Sequence, residues 1–214
     1  MTETPEKVHH PLFARFYMRT TSSRKAHGED EHRRKLLAGL MGRVIEVGAG
    51  NGLNFPHYPE GVEQVIAAEP ESLLRKAATE AAAEAPVQIE VVDGVAGALP
   101  AEDESLDAAI ASLVLCSVSD QQRALAELHR VLRPGGELRF YEHVIAQGSI
   151  GRRLQRLADA TFWPHVAGGC HLSRDTGAAI EAAGFQIESL ERFPFSPGPP
   201  VPAIPHILGV ARRS

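Results

Sequence analysis

Three glycines at alternate positions directly follow a short apolar segment that carries an acidic residue. The glycines are Gly48, Gly50 and Gly52, and the acidic residue is Glu46. Glycine has no side chain, so the backbone can turn sharply here and approach a ligand closely. The spacing G-x-G-x-G differs from the G-x-G-x-x-G of dinucleotide sites, in which a helix N-terminus holds a pyrophosphate. Two prolines in the following NFPHYP prevent an early helix, so the loop favours a ligand without a pyrophosphate.

Glu69 ends the next β-branched segment, QVIAAE at 64–69. A carboxylate in this position can accept hydrogen bonds from both hydroxyls of a ribose. Glu46 can fix the loop backbone or hold a water that meets an ammonium group. A glycine loop with a ribose acid indicates a nucleoside, and without phosphate the natural candidate is S-adenosylmethionine (SAM). Turn geometry is the alternative explanation for the glycines.

The elements that must position these residues alternate between strand-like and helix-like segments from residue 43 onward. Strands are predicted at 43–48, 64–69, 87–93, within 106–118, and at 137–144, 185–193 and 205–213; helices are predicted at 73–85, 120–132, 149–164 and 174–184. This alternation predicts βαβ units and a largely parallel sheet. The last two strands are joined by a proline-rich link too short for a helical crossover, which predicts antiparallel neighbours. Asp120 is the predicted N-cap of its helix.

The composition is that of an ordinary globular chain. The 214 residues are 43% apolar and 23% charged, which predicts one domain with a sizeable core. A net charge of −5 does not provide the basic surface typical of nucleic-acid binding, so no nucleic-acid partner is expected. No segment reads as a signal peptide or a transmembrane helix. The two cysteines do not indicate a disulfide framework, and a reducing cytoplasm is the expected location.

The order of several motifs resembles a known enzyme family. EVGAGNG, AAEP, LDAAIASLVL and LHRVLRPGGEL, within 43–144, resemble the motifs of class I SAM-dependent methyltransferases. GNGLNFPHYP, SLVLCSV, EHV, GGCHLSRDT and PHILG extend the resemblance to the methyltransferase-like thiol S-methyltransferases of animal endoplasmic reticulum and their bacterial relatives. The apolar N-terminal anchor of the animal proteins is not found, which implies a soluble relative.

The resemblance implies an α/β, Rossmann-like fold with helices on both faces of a mostly parallel seven-stranded sheet whose last strand is antiparallel. It implies a single methyltransferase domain over residues 1–214, with SAM as the cofactor. Within it we expect an N-terminal helical cap at 1–42, a SAM-binding core at 43–145, an inserted substrate cover at 146–173, and a C-terminal helix and strand pair at 174–214.

The cofactor residues follow from the resemblance, position by position. The expected SAM-binding residues are Glu46, Gly48, Ala49, Gly50, Gly52, Asn54, Glu69, Pro70, Asp93, Gly94, Val95, Ala96, Ser112 and Leu113. One position departs from the wider class, because Val95 stands where a carboxylate commonly reaches the adenine amino group. Asp93 is one possible substitute, and the backbone of Val95 and Ala96 is the other.

The acceptor chemistry needs a group that removes a proton if the acceptor is a thiol. His143, in YEHV at the end of the fifth predicted strand, is the candidate base, and a packed histidine is the alternative. The expected substrate-binding residues are Phe16, Tyr17, Cys116, Phe162, Trp163, His171 and His206, each with core packing as the alternative. The segment HVAGGCH contains no second spaced ligand pair, so no metal is expected.

The sequence therefore predicts methyl transfer to a small, fairly apolar acceptor, with a thiol as first choice. One rival is a methyltransferase that acts on carbon or nitrogen, such as a quinone-like ring or a phospholipid amine. Another is a nucleoside-binding protein without methyl transfer. Arg152, Arg153 and Arg156 form a basic helix face, which is either solvated or attracted to anionic lipid in a peripheral membrane contact. The oligomeric state stays open.

Overall fold

The computed structural model describes residues 11–26, 28–196, 198 and 202–214 of the chain. The helices are α1 (Pro11–Ala26), α2 (Glu29–Leu37), α3 (Ser72–Ala82), α4 (Gln121–Val131), α5 (Ser149–Thr161), α6 (Trp163–Val166) and α7 (Thr176–Ala182), with a short 3₁₀ turn at Phe55–His57. The strands are β1 (Gly42–Val47), β2 (Val62–Ala68), β3 (Ile89–Val92), β4 (Leu106–Ser112), β5 (Leu132–His143), β6 (Phe185–Phe195) and β7 (Ile204–Arg213). The first ten residues, which include the N-terminal part of the expected cap, lie outside the described ranges.

The strands form one seven-stranded sheet with the order β3-β2-β1-β4-β5-β7-β6. The pairs β1–β2, β1–β4, β2–β3 and β4–β5 are parallel, whereas β7 is antiparallel to both β5 and β6. This confirms the predicted fold, including the antiparallel pair joined by the proline-rich link. The strand order reverses between β1 and β4, so a ligand site is expected at the carboxyl ends of these strands.

Consecutive residues of the central strands point to opposite faces, and helices cover both faces. Val44 packs with α2 and α3 residues, whereas Ile45 packs with α4 and α7 residues. Likewise, Ala108 and Ile110 of β4 lie on the first face, and the intervening alanine lies on the second. A parallel sheet buried on both faces favours apolar residues at consecutive positions, which explains the apolar segments 44–45 of β1 and 108–111 of β4.

The start of β5 and the division of the segment 149–164 differ from the prediction. The segment RPGG does not separate α4 from the next strand, because Leu132 is already extended and pairs with Leu106, so β5 starts five residues early. The predicted helix at 149–164 is two helices, α5 and α6. Pro164 removes a backbone donor and obstructs the preceding turn, so α5 ends at Thr161 and Pro164 lies in the first turn of α6. The Asp120 side chain caps α4 by accepting from the amide of Arg123, as predicted.

Helix α5 buries a polar residue and leaves several apolar residues exposed. Gln155 is 8% exposed and bonds the backbone of Val144 and Ala146, which fixes the helix against the end of β5. Ile150, Leu154 and Leu157 are 76%, 62% and 62% exposed, and we call these three residues the α5 apolar face. Among the described residues no helix combines the length and apolar character that a membrane span requires.

Candidate active site

A cavity of about 1090 Å³ lies at the carboxyl ends of β1, β2 and β4. Its wall comes from α1, the glycine loop, the residues after β2 and β3, the loop after β4, and the segment 168–171. The volume is at the upper end of the range for small-molecule sites, roughly 300–1,000 Å³. The cavity can therefore hold a nucleoside cofactor together with a small second ligand.

The glycine loop is shaped by left-handed backbone and by close packing. The amides of Gly48 and Ala49 both donate to the carbonyl of Ala68, which ties the loop to the end of β2. Gly48 has a φ of 63°, and a β-carbon there would lie 2.5 Å from Cγ2 of Val114. Gly50 has a φ of 60° and faces the cavity, where a β-carbon would lie 3.6 Å from the Tyr17 ring. The first glycine is thus required by packing, and the second leaves space for a ligand.

Glu69 lines the cavity and also holds the glycine loop. Its Oε2 accepts from the amide of Gly50 at 2.8 Å, and its Oε1 accepts from the amide of Glu71 at 2.9 Å. A carboxylate oxygen can accept more than one hydrogen bond, so both oxygens can still receive ribose hydroxyls. Burial raises the pKa of Glu69 to about 7, because the two backbone hydrogen bonds only partly compensate for the lost solvent.

Glu46 lies behind the loop in a buried hydrogen-bond network rather than in the cavity wall. Its Oε1 accepts from the amide nitrogen of Asn54 at 2.8 Å, and its Oε2 accepts from the hydroxyl of Tyr58 at 2.7 Å. Burial raises the pKa of Glu46 to about 7, against the effect of these two donors and of nearby Arg33. The carboxylate thus supports the segment that follows the glycine loop.

Arg33 of α2 extends this network to the cavity. Its Nη1 donates to Oδ1 of Asn54 at 2.8 Å and to the hydroxyl of Ser112 at 3.2 Å, while its Nη2 pairs with Glu29 at 2.5 Å. Arg33 is 4% exposed, so its charge depends on these partners. Because Ser112 lines the cavity, this network connects α2 to the cavity wall.

Residues 93–96, which the resemblance assigns to adenine, contribute no carboxylate to the cavity wall. The side chain of Asp93 is 71% exposed and pairs with Arg75 at 3.1 Å, away from the cavity. The wall is instead formed by residues 94–98, which a bridge between Val95 and Ala98 folds into a tight loop. Backbone groups of this loop are therefore the available partners for a base.

The loop after β4 forms the opposite wall and is held in a strained form. Leu113 has a φ of 59°, which costs a non-glycine residue roughly 1–2 kcal/mol. The buried carboxylate of Glu142 accepts hydrogen bonds from the amides of Val114, Leu115 and Cys116 at 2.9–3.1 Å. These bonds keep the strained loop in place, as is usual where backbone strain serves a site.

Behind this loop, two cysteines and a histidine form a cluster that the sequence did not reveal. The Nδ1 atom of His143 lies 3.1 Å from Sγ of Cys170 and 3.7 Å from Sγ of Cys116. Both thiols are free and buried. The hydrogen bond from Cys116, followed by the contact with His143, lowers the pKa of the Cys170 thiol against the effect of burial, and the same pairing raises the pKa of Cys116.

Eleven of the residues singled out in the sequence line the cavity. They are Gly48, Gly50, Glu69, Pro70, Gly94, Val95, Ala96, Ser112 and Leu113 from the expected cofactor residues, with Tyr17 and His171 from the expected substrate residues. The structure thus brings together residues from six separate segments of the chain.

Other candidate residues lie outside this lining, for identifiable reasons. Glu46 and Asn54 belong to the network behind the loop, and Asp93 faces solvent with Arg75. Ala49 and Gly52 pack into the core beside Phe55 and Ala81, and Cys116, His143, Trp163 and His206 lie behind the acceptor wall.

Phe16 and Phe162 are 59% and 56% exposed and do not line the cavity. Helix α1 turns Phe13 and Tyr17, one helical turn apart, toward the cavity, so Phe16 falls on another side. Phe162 lies at the break between α5 and α6 and is turned outward with the α5 apolar face.

Several residues that line the cavity were not among those expected from the sequence. Phe13 contributes from α1, and Gly168 approaches it so closely that a β-carbon on the glycine would lie 2.6 Å from the ring. Gly168 and Gly169 precede CHLSRDT in the quoted family motif, so that resemblance contained a usable signal. Asp120 and Arg123 line the cavity beside the start of α4, and no local pattern distinguishes them from surface residues of a helix.

Comparisons with known proteins agree with this geometry. A family model described as a methyltransferase domain matches residues 45–140. The thiol S-methyltransferase TMT1B of Mus musculus is 39% identical over 186 residues, which cover 83% of this chain and 74% of the mouse protein. The human thiol S-methyltransferase TMT1A is 37% identical over 154 residues, which cover 70% of this chain and 63% of that protein.

Solved structures share the fold at low identity. The YcgJ protein of Bacillus subtilis superposes with a TM-score of 0.69 and 17% identity, covering 87% of this chain and 98% of that one. Geranyl diphosphate methyltransferase in complex with the SAM analogue sinefungin gives a TM-score of 0.64 at 14% identity, covering 87% and 77%. With a SAM-sized cavity, a glycine loop and a buried acid after β2, the chain belongs to the SAM-dependent methyltransferases, in the family of the thiol S-methyltransferase TMT1B.

Proposed function

We propose that this methyltransferase transfers the methyl group of SAM to the sulfur of a small, fairly apolar thiol. The observation that carries the proposal is the 39% identity to TMT1B, a thiol S-methyltransferase, over 83% of the chain. The cavity supports it, because its volume leaves room for a small acceptor beside the cofactor. Its far wall includes Phe13, Val114 and Val118, which favour an apolar molecule.

The donor half would hold SAM by backbone and carboxylate groups. Glu69 would accept the ribose hydroxyls, Gly50 would allow the methionine part to pass close to the backbone, and residues 94–98 would enclose the base. Arg33 and Glu46 would act from behind by fixing Asn54 and Ser112. Much of the acceleration in such a transfer comes from holding donor and acceptor in line at close approach.

The proton of the thiol needs an acceptor, and the imidazole that lines the cavity is His171. Its Nδ1 lies 2.8 Å from the carbonyl of Gly169, which can only accept, so Nδ1 carries the hydrogen of the neutral ring. Its Nε2 is then the nitrogen that can take a proton. His143, the candidate base expected from the sequence, does not line the cavity, and its Nδ1 contacts two sulfurs. We therefore assign the role to His171.

Two measurements, made one after the other, test the proposed function. Isothermal titration with SAM and with its demethylated product should show binding of both. A methyl-transfer screen should then show turnover with alkyl thiols but not with phenols, quinone-like rings or ethanolamine headgroups. Turnover only on carbon or nitrogen would replace the thiol proposal with its first rival. Cofactor binding without turnover on any acceptor would leave a nucleoside-binding protein.

We also propose a peripheral contact between the α5 apolar face and an anionic lipid surface. Three apolar side chains stand exposed on consecutive turns, with Arg152, Arg153 and Arg156 on the same helix. An amphipathic helix of this kind binds at the headgroup region through apolar burial and attraction to anionic lipid. Co-sedimentation with vesicles should require phosphatidylglycerol and should be lost in Leu154→Glu. Equal binding of that variant would exclude this face.

We further propose that the protein works in the cytoplasm. Cys116 and Cys170 are unpaired and lie together, which suits a compartment that keeps thiols reduced. Fractionation of cells that express the full chain tests this, and recovery from an oxidising compartment would contradict it.

A further inference from the structure

We propose that Cys116, His143 and Cys170 form a zinc site. Two thiols and one imidazole are the ligand types that bind zinc in proteins, and the combination Cys₂His with one open position is an established coordination set. The three candidate ligand atoms lie within 4.8 Å of one another. The inference stands apart from the identity of the methyl acceptor, because it depends only on these three side chains.

The separations of the donor atoms fit a tetrahedral ion. With zinc–sulfur and zinc–nitrogen bonds of about 2.3 and 2.0 Å, tetrahedral ligands lie roughly 3.5 Å (S···N) and 3.8 Å (S···S) apart. The two S···N separations here are 3.1 Å and 3.7 Å. Small side-chain adjustments of a few tenths of an ångström would therefore be enough to admit the ion.

The surroundings hold the ligands in position before any metal binds. The amide of Cys116 is fixed by Glu142, and its carbonyl accepts from the amide of His171, which joins the two cysteine segments directly. The His143 ring packs edge-on against His206 with centroids 4.5 Å apart. Partners that orient metal ligands in this way typically contribute 10–100-fold to affinity.

The charge balance also suits a buried ion. Cys116 and Cys170 are 1% and 4% exposed, and two thiolates would cancel the charge of a divalent zinc ion. Among the described residues no fourth His, Cys, Asp or Glu joins the group, so an exogenous ligand would complete the tetrahedron. The ion would join the loop after β4 to the segment 168–171, both of which line the cavity.

The chain has only two cysteines, so any metal–sulfur signal can be assigned to them. Untagged full-length protein, reduced and freed of metal, is titrated with cobalt(II). We expect sulfur-to-cobalt charge-transfer absorption that saturates at one equivalent and disappears when zinc is added. Any such band must come from Cys116 and Cys170, because the chain contains no other cysteine. Cobalt bound by histidines elsewhere would give no sulfur-to-cobalt transition.

Variants assign the ligands. Cys170→Ser and His143→Ala should each weaken cobalt binding by at least about a hundredfold, more than the 10–100-fold typical of residues that only orient ligands. The exposed His165→Ala is the matched control and should bind like the original protein. Should a variant fail to fold, the unmutated protein still decides the matter through thiol reactivity. Zinc should protect both thiols from a disulfide reagent, and unprotected thiols or cobalt binding without the sulfur band would overturn the site.

Discussion

The two halves of the cavity are held by different means. The donor half consists of backbone turns and buried carboxylates that lie close together in the sequence, such as Gly50 with Glu69. The acceptor half is assembled from α1, the loop after β4 and the segment 168–171, which are far apart in the chain. Enzymes that share one cofactor can bind it with the same local motif. A wall built from distant segments can differ between enzymes that act on different acceptors.

The halves also differ in how their carboxylates are used. Glu69 is buried at the cavity and accepts from two backbone amides, and it can still meet a ligand. Glu142 is fully buried, and its two carboxylate oxygens accept hydrogen bonds from three amides of the loop after β4. The first acid is expected to act on the cofactor directly, and the second acts on the shape of the wall.

The largest effect is expected from a side chain placed in the donor half. Gly50→Val should abolish detectable SAM binding, because the β-branched side chain would stand in the cavity and oppose a φ of 60°. Isothermal titration measures this. Gly39→Val is the matched control, since Gly39 has a φ of 73° but nothing within 4 Å. It should cost about 1–2 kcal/mol of stability and leave SAM affinity unchanged. Retained binding in Gly50→Val would reduce the loop to a simple turn.

The next effect separates the acceptor half from the donor half. His171→Ala should lower kcat with an alkyl thiol by about a hundredfold, the usual range for a proton acceptor, with SAM affinity unchanged. Activity should recover as the pH passes the pKa of the thiol substrate, about 8.5, because the thiolate then forms unaided. Kinetics across this pH range measure both effects. A loss that persists at high pH would mean that His171 only shapes the wall.

Within the donor half, Glu69 and Asp93 offer a direct contrast. Glu69→Ala should weaken SAM binding by about 2–3 kcal/mol, the range for removing hydrogen bonds to a charged group. Asp93→Ala should leave affinity unchanged, because its side chain faces solvent and pairs with Arg75. Isothermal titration of both variants decides the matter. A large loss in Asp93→Ala would return adenine recognition to that carboxylate.

The smallest effect concerns the buried network behind the donor half. The pKa of Glu46 is about 7 in the folded protein against an ordinary 4.5. The folded state therefore holds this proton more tightly than the unfolded state. The stabilisation of the folded state by protonated Glu46 is fully present below about pH 4.5 and is lost as the pH rises through about 7. The loss amounts to up to about 3 kcal/mol of unfolding free energy.

Urea unfolding at pH 5 and pH 8 measures that loss. The decrease in unfolding free energy should be smaller in Glu46→Gln, which carries no charge at either pH. Glu90→Gln, on strand β3 of the same sheet, serves as the comparison because Glu90 is exposed. Equal pH dependence in the original protein and in Glu46→Gln would show that Glu46 does not titrate in this range.

The sequence predicted the fold and identified several cavity-lining residues of the donor half, because their signals are local. Strands and helices follow from short periodic segments, and Gly48, Gly50 and Glu69 follow from the ends of β1 and β2. The resemblance placed Ser112 and Leu113 correctly at the cavity. What these residues share is that each position is dictated by the strand immediately before it.

The sequence did not predict the contacts of the acceptor half, because they join segments that are far apart in the chain. Cys116, His143 and Cys170 follow one another at intervals of 27 residues along the chain and come together only through the fold. Leu154 and Leu157 show the helical spacing of a core face, yet Gln155 is the residue that α5 buries. Spacing alone cannot distinguish a face that meets the core from one that meets solvent or lipid.

The position of β7 between β5 and β6 has a consequence for synthesis. Strand β6 pairs only with β7 in the described sheet, and β7 follows it in the chain. While the chain emerges from the ribosome, β5 and β6 therefore present unpaired edges until β7 has been translated. The parallel strands β1 to β5 can associate first, and the final strand must then enter a gap between two edges. Such edges invite pairing with other chains, so the yield of folded protein should depend on how fast this last insertion occurs.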